Sequence, residues 1–247
     1  MSEPRKTARP RIEAFNFERG RIIARRYEVV GRLGSGWESE VYLVRERSTG
    51  IERAAKFMFP HRNVGDRISR IQAKKLHALR HCPIVIQYHH QDVITYRGVP
   101  VTMLVSEYVE GQLLSAFLDR QPQKRLSPFH AVHLLHALAA GMECIHQLGE
   151  YHGDLHTDNV IVRRYGLGFD LKLLDLFHWE APKRENIRGD VVDLIRIFYD
   201  ALGGQLTYRA QPPEVKAIIC GLKKTLILKK FRTAGQLRAY LETMEWS

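Results

Sequence analysis

The chain has 247 residues, 45% hydrophobic and 26% charged, which is the composition of a soluble globular protein with one sizeable core. Its 38 Lys and Arg residues outnumber its 27 Asp and Glu residues, for a formal net charge of +11. No apolar run approaches the ~20 residues of a membrane span, and the N-terminus lacks an apolar signal core, so we expect neither a transmembrane segment nor secretion.

The three cysteines of the chain, Cys82, Cys144 and Cys220, lie far apart in the sequence. Their odd number and wide spacing argue against a disulfide framework and against a zinc site. This pattern fits a reducing compartment, so we expect a cytoplasmic location.

The N-terminal segment, residues 1–20, concentrates basic side chains such as Arg5, Lys6 and Arg9. We interpret this segment as a flexible, solvated extension. A basic tail also allows contact with an anionic partner, such as nucleic acid or a membrane face, and this remains an alternative role for it.

The stretch at residues 151–162, YHGDLHTDNVIV, places Asp154 five positions before Asn159, and a strand-forming run follows at once. Phosphoryl transfer needs a carboxylate that orients the attacking hydroxyl and accepts its proton, together with a neutral oxygen ligand for Mg²⁺. The stretch resembles the catalytic loop of protein kinases, H-R-D-L-x-x-x-x-N, with Gly153 in place of the arginine. Its HGDLH variant is similar to that of aminoglycoside phosphotransferases, choline kinases and RIO-type kinases.

Alternating β-branched and polar residues predict two strands of a hairpin, at residues 27–30 and 41–44. The segment GSG at 34–36 lies between them, and its two glycines allow backbone N–H groups to approach phosphate oxygens. Because it joins two strands, it resembles the glycine-rich loop of kinases, with Ser39 at the position of the third glycine.

A third strand, residues 51–59, carries Lys56 within an apolar run, where a charge is costly to bury without an anionic partner. Lys56 resembles the phosphate-binding lysine of the kinase V-A-I-K motif. The helix predicted at residues 66–80 should carry the glutamate that pairs this lysine, but no Glu occurs between Arg53 and Ser106. We align Gln72 with it and expect Gln72 to accept a hydrogen bond from Lys56.

The strand predicted at residues 101–109 resembles the hinge of kinases, where backbone groups bind adenine. Farther on, the triplet Asp175-Leu176-Phe177 resembles D-F-G, whose Asp chelates Mg²⁺. Ala181-Pro182-Lys183 stands where kinases carry A-P-E. No Ser, Thr or Tyr occurs between Asp175 and Asp190, so we expect no phosphorylation site in this short activation segment.

The resemblance implies a role for each candidate residue, with ATP and Mg²⁺ or Mn²⁺ as cofactors in a cleft. Asp154 would position the acceptor hydroxyl, His156 would contact the γ-phosphate, and Asn159 and Asp175 would hold the metal. Lys56 would orient the phosphates. The residues expected to contact ATP are Gly34, Ser35, Gly36, Val41, Lys56, Glu107 and Val109.

Together these observations predict an α+β, two-lobed protein-kinase-like fold. It should have a small antiparallel β N-lobe with one helix at residues 21–107 and a mostly α-helical C-lobe with a short activation segment at 108–247. Further helices are predicted at residues 113–120, 128–148, 190–202, 213–224 and 233–244.

Three functions compete at this stage. The bacterial-kinase-like opening of the domain favours an atypical Ser/Thr protein kinase that activation-loop phosphorylation does not control. The HGDLH segment and the short activation segment favour a small-molecule kinase of the aminoglycoside or choline type. Gln72 and the D-L-F triplet favour a pseudokinase that serves as a binding scaffold, although Lys56, Asp154, Asn159 and Asp175 are all present.

Overall fold

A computed structural model describes residues 11–166, 168–176 and 184–245, which form two compact units. The first unit contains the described residues up to 77 and residues 87–108. The second contains residues 78–86 and the described residues from 109 onward. The first unit is built on an antiparallel sheet and the second is mostly helical, which confirms the two-lobed α+β fold.

The first unit is a six-stranded antiparallel sheet with the order β1-β2-β3-β4-β6-β5 and one α-helix, within the described residues. A two-residue turn at Arg97 and Gly98, both with positive φ, joins the last two strands and suits their right-handed twist. The elements are β1 (Ile22–Ile23), β2 (Tyr27–Ser35), β3 (Ser39–Glu46), β4 (Glu52–Met58), α1 (Arg67–Ala78), β5 (Tyr88–Tyr96) and β6 (Val99–Glu107).

Alternation along β3 and β4 separates the two faces of this sheet. Tyr42 and Phe57 point into an aromatic core on one face. On the other face, Lys56 lies opposite both Val41 and Leu104 in the strand ladders. Leu104 also packs with Ile68 of α1, so Lys56 belongs to the face that the helix covers.

Residues 11–20, before β1, pack into the aromatic core, which corrects the expectation of a flexible extension for this part of the segment 1–20. The rings of Phe15 and Phe17 are 1% and 7% exposed. The backbone is tied down as well, because Phe15 N–H donates to Glu40 Oε2 at 3.1 Å and Phe17 N–H donates to Tyr42 Oη at 3.2 Å. Tyr96 Oη–H donates to the Phe15 carbonyl at 2.7 Å. Residues 1–10 lie outside the described part of the chain.

The second unit combines a three-stranded sheet, of order β7-β8-β9, with helices. Ser127 caps the long helix α3 by accepting a hydrogen bond from His130 N–H, and Pro128 occupies its first position. The described elements are β7 (Gln112–Leu113), α2 (Leu114–Asp119), α3 (Pro128–Gln147), β8 (Val160–Tyr165), β9 (Gly168–Leu173), α4 (Arg184–Ala201), α5 (Gln205–Tyr208), α6 (Pro213–Ile219), α7 (Lys224–Lys230) and α8 (Ala234–Thr243).

Cys82 and Cys144 form a disulfide bond with a Cα–Cα distance of 5.8 Å, so the expectation against a disulfide is wrong. The bond fastens the segment 78–86 to α3, and Cys220 is free. The same segment bonds to β9, because the Leu173 N–H donates to the Ile84 carbonyl at 2.8 Å. Wide spacing in the sequence therefore did not prevent close approach in the fold.

No helix in the described ranges is both long enough and apolar enough to cross a membrane.

Candidate active site

A buried carboxylate holds the loop that carries Asp154. Asp190, in α4, is fully buried and accepts hydrogen bonds from the backbone N–H groups of His152 and Gly153, both at 2.8 Å. His146 Nε2 lies 3.0 Å from the same carboxylate. Gly153 adopts φ of +85°, a conformation that glycine tolerates best, which explains why the loop accepts glycine where kinases have arginine.

The Asp154 side chain projects from this clamped backbone and is 62% exposed. Its own N–H donates to His152 Nδ1 at 3.3 Å, so His152 carries its proton on Nε2, which donates to the Leu174 carbonyl at 2.9 Å. Asn159 Nδ2 donates to the Asp154 carbonyl at 2.8 Å. The backbone of Asp154 is therefore fixed on both sides, while its carboxylate remains accessible to a substrate.

His156 lies beside both of these residues. Its Nε2 is 3.6 Å from Asp154 Oδ2 and 2.9 Å from Asn159 Nδ2. Its Nδ1 accepts a hydrogen bond from the Asp158 N–H at 3.2 Å, which orients the ring. The structure thus brings Asp154, His156 and Asn159 together.

Backbone pairing also brings Asp175 next to Asn159. Val160 pairs with Leu173 in the β8–β9 hairpin, and Leu174 N–H donates to the Asn159 carbonyl at 2.8 Å. Asp175 follows with φ of +55° and an exposed side chain. Because the Asn159 amide nitrogen is engaged by the loop, its carboxamide oxygen and the Asp175 carboxylate offer two hard oxygen ligands, the type that Mg²⁺ prefers.

Part of the predicted activation segment lies outside the described residues, namely Phe177, the last residue of the D-F-G-like triplet, and Ala181-Pro182-Lys183. Helix α4 spans Arg184–Ala201 and so includes six residues before the start predicted at Asp190.

In the first unit the glycine-containing loop forms the tight end of the β2–β3 hairpin. Gly34 pairs with Val41, and Ser35 pairs with Glu40. Gly36 N–H donates to the Ser39 carbonyl at 2.9 Å, which closes the turn. The segment therefore has the strand–turn–strand form predicted for it, with Trp37 exposed at its tip.

Lys56 pairs with an acidic residue of this loop, Glu38, which was not among the predicted site residues. Its Nζ lies 3.1 Å from Glu38 Oε1, and the two side chains are 15% and 9% exposed. Gln72 in α1 is 5% exposed, and its Oε1 has no hydrogen-bond partner among the described residues. The expected hydrogen bond from Lys56 to Gln72 is therefore wrong. The one available signal was a glutamate inside the loop, two residues after a glycine.

The two predicted adenine-contact residues occupy the end of β6 and the segment after it. Glu107 is the last residue of β6, and its backbone N–H donates to the Gln87 carbonyl at 2.9 Å. The Glu107 carboxylate accepts from the Gln87 N–H at 2.9 Å. Val109 follows in irregular backbone and is half-buried. Their contact with adenine remains a prediction.

The protein kinase domain family matches residues 27–194 of the chain. The chain belongs to this family of ATP-dependent kinases. The predicted membership of the protein-kinase-like superfamily is thereby confirmed.

Relatives of this kinase domain come from bacteria, plants and animals. The chain is 33% identical over 159 residues to the serine/threonine-protein kinase pkn2 of Myxococcus xanthus, an alignment that covers 62% of this chain and 18% of that protein. It is 26% identical over 147 residues to the dual specificity testis-specific protein kinase 1 of Mus musculus, covering 58% and 21%. The chain spans less than half the length of the curated relatives it matches.

A solved structure shows the same fold. The kinase domain of PknI from Mycobacterium tuberculosis, determined as the C20A_R136A double mutant, superposes with a TM-score of 0.62 at 20% identity. The match covers 93% of this chain and 98% of that one. At this identity the similarity concerns the fold alone.

One titratable group near the catalytic loop of this kinase domain was not predicted. Asp193 is half-buried in α4, and its pKa is raised to about 6. Burial is the largest cause, and the negative charges of Asp190 and Asp154 add to it, whereas Arg196 and His156 oppose it.

This raised pKa predicts how stability changes with pH. In the unfolded chain the Asp193 carboxyl ionises at its ordinary pKa of 3.8. Below this pH the carboxyl is neutral in both the folded and the unfolded chain, so its ionisation does not change stability. As pH rises from 3.8 to about 6, the carboxyl ionises more readily in the unfolded chain, which destabilises the fold. We expect Asp193→Asn to raise the free energy of unfolding by about 1–2 kcal/mol at pH of about 7.5, discounted for partial solvent exposure, and to change it little at pH of about 4. Urea denaturation at both pH values tests this, with the exposed Asp119→Asn as control. A gain of equal size at both pH values would contradict it.

Proposed function

We propose that this chain is an ATP-dependent Ser/Thr protein kinase that activation-loop phosphorylation does not control. The observation that carries the proposal is the exposed Asp154 carboxylate, whose backbone is fixed next to Asn159 and near Asp175. Bound ATP with Mg²⁺ or Mn²⁺ supplies the transferable phosphoryl group, and the chain supplies position and charge.

Each residue contributes a separate part of this positioning. Asp154 orients the hydroxyl of the acceptor and takes its proton as the new P–O bond forms and the bond between the γ-phosphorus and the departing ADP breaks. His156, close to Asp154, faces the transferred phosphate. Lys56 neutralises phosphate charge. Asn159 and Asp175 hold the metal, and two protein ligands suffice because Mg²⁺ takes its other ligands from phosphates and water.

The glycine hairpin and the end of β6 complete the proposed nucleotide contacts. Backbone N–H groups at the turn of the β2–β3 hairpin can donate hydrogen bonds to phosphate oxygens. The glycines of this turn have no side chain, so the phosphates can approach the backbone closely. The proposed contacts are Gly34, Ser35 and Gly36 with phosphates, Val41 with the adenine ring, and the backbones of Glu107 and Val109 with the adenine edge.

A small-molecule kinase is the second candidate. The HGDLH sequence and the short interval between Asp175 and Asp190 favour it. A pseudokinase scaffold is less well supported, because the loss of the helix glutamate at Gln72 is offset by the Lys56–Glu38 pair. The basic residues of the segment 1–20 suit an anionic partner in any of these cases, and loss of partner binding on their neutralisation would test that role.

We further propose a cytoplasmic location, because a kinase needs access to the cellular ATP pool. The Cys82–Cys144 bond runs against a reducing compartment, so this proposal rests on the ATP requirement and not on the cysteines. Fractionation of cells that express the chain tests it, and recovery outside the cytoplasm would refute it.

Nucleotide binding is the first experimental test. We expect ATP with Mg²⁺ to stabilise the protein by about 2.7 kcal/mol at a concentration about 100-fold above Kd, observed as a rise in melting temperature. Asp175→Asn should reduce this metal-dependent shift. Labelled ATP, offered with generic proteins or with amino-alcohol and aminoglycoside metabolites, then separates the two enzyme classes. If neither ATP nor ADP shifts the melting temperature with either metal, the proposed enzyme activity is wrong.

A further inference from the structure

The helix that covers Lys56 provides no carboxylate for it. Helix α1 contains neither Asp nor Glu. Asp66, just before α1, is engaged elsewhere, because its carboxylate accepts hydrogen bonds from Asn63 Nδ2 and from the Thr102 hydroxyl. Gln72 lies on the buried side of the helix, yet its Oε1 finds no hydrogen-bond partner among the described residues.

Glu38 reaches Lys56 from the β2–β3 hairpin instead. Its backbone is fixed, because its carbonyl accepts a hydrogen bond from Phe59 N–H at 2.8 Å and the neighbouring turn is closed by the Gly36–Ser39 bond. The carboxylate is 9% exposed and lies 3.1 Å from Lys56 Nζ. Burying either charge without an opposite charge nearby is costly, so the contact favours this position of both side chains.

We propose that Glu38 is the positioning residue for Lys56 and replaces the missing carboxylate of the helix. The inference rests on the proposed function, in which the Lys56 ammonium faces phosphate. An ammonium has three N–H donors, so Lys56 can bind Glu38 and a phosphate oxygen at the same time.

The elements that carry Glu38 and Lys56 bear on how the kinase activity is regulated. Glu38 and Lys56 belong to adjacent strands and their turn, and the β3–β4 ladder fixes Val41 opposite Lys56. No movement of α1 is needed to form the contact. The lysine is therefore held in place without a regulated helix, in keeping with a domain that has no phosphorylatable residue between Asp175 and Asp190.

Matched charge variants test this role by steady-state kinetics with labelled ATP, using label transfer to the protein itself or to casein. Glu38→Gln keeps the shape and removes the charge, and we expect it to lower kcat/KM for ATP roughly 10- to 100-fold, as for loss of one charge-assisted hydrogen bond. Glu38→Asp should retain more activity than Glu38→Gln. The control is Glu52→Gln in β4, whose partner Arg45 lies at 3.0 Å on the surface, with an expected change within about twofold.

A double-mutant cycle separates positioning from a general effect on folding. Lys56→Met should remove most activity, and adding Glu38→Gln to it should cause no further loss, because the partner is already gone. A merely structural role would lower residual kcat/KM equally in both backgrounds. Gln72→Leu should keep most of its activity, since it replaces an unpartnered buried polar group by an apolar one.

Three outcomes overturn the inference. Full kcat/KM in Glu38→Gln, with an active wild type, means that Lys56 does not depend on Glu38 for its position, and the proposed kinase activity stands. A lower KM for ATP in Glu38→Gln means that Glu38 competes with phosphate. A wild type that neither binds ATP nor transfers label removes the proposed function and this inference together.

Discussion

Asp154→Asn is expected to lower kcat for phosphoryl transfer roughly 10²- to 10⁴-fold, because asparagine cannot accept the proton of the attacking hydroxyl. The clamp that shapes the loop uses the backbone of Asp154, through its N–H on His152 Nδ1 and its carbonyl on Asn159 Nδ2. The substitution therefore leaves these bonds intact. We expect the melting temperature to stay within about 2 °C of that of the wild type.

The structure supplies a control in the same loop. Asp158→Asn changes a carboxylate of equal exposure, 62%, which lies 3.9 Å from His156 Nδ1 on the side away from Asp154. It should keep kcat within a few-fold of wild type. ATP–Mg²⁺ binding should survive in Asp154→Asn and weaken in Asp175→Asn, since only the latter is a proposed metal ligand. Wild-type activity in Asp154→Asn would show that the catalytic loop is wrongly assigned.

Strongly patterned elements could be predicted from sequence because their local and tertiary preferences agree. The strand of Lys56 and the helix at residues 128–148 lie within one residue of their predicted bounds. The strands around Tyr27 and Val41 are present but longer than predicted. Strand β5 was missed, because its sequence, YHHQDVITY, is half polar and follows a loop. The strand forms because it pairs with β6, although its own sequence does not favour a strand.

The errors share a physical cause, namely contacts between residues that are distant in the chain. Composition alone suggested that the N-terminal segment is flexible, but Phe15 and Phe17 find an aromatic core built by later strands. Cys82 and Cys144 are 62 residues apart in sequence and meet because α3 passes beside the segment 78–86.

The catalytic loop could be predicted from its motif because most of its hydrogen bonds are local, and the distant ones go to Asp190 and to the backbone of Leu174. The partner of Lys56 could not, because family resemblance directs attention to the helix. Glu38, the residue that contacts Lys56, lies in the glycine-containing loop, at a position where the motif does not specify a charged residue. Asp193 was missed because its raised pKa depends on burial in the folded protein, together with the charges of Asp190 in the same helix and of the distant Asp154.

Phe15→Ala is expected to destabilise the first unit by about 3–5 kcal/mol, as for removal of a buried aromatic ring from a packed core. The ring is 1% exposed, and its centroid lies 5.4 Å from that of Phe17, 5.5 Å from that of Phe59 and 5.4 Å from that of Tyr96. Two hydrogen bonds to the Phe15 backbone also hold the segment: Phe15 N–H donates to Glu40, and Tyr96 Oη–H donates to the Phe15 carbonyl. We expect both to weaken when the ring is removed from the core.

Urea denaturation measures the loss of folding free energy in Phe15→Ala. Hydrogen exchange of the amides in β2 and β3 then shows whether the loss falls on the first unit. Phe129→Ala is the matched control, because Phe129 lies on the second unit with its side chain 49% exposed, and it should cost less than about 1 kcal/mol. If Phe15→Ala fails to fold, Phe15→Leu provides a milder test and should destabilise by a smaller amount of the same sign. Deletion of residues 1–17 removes both rings and should be at least as damaging as Phe15→Ala. Unchanged exchange protection in the deletion variant would mean that the segment does not contribute to the core and that it is, after all, a dispensable extension.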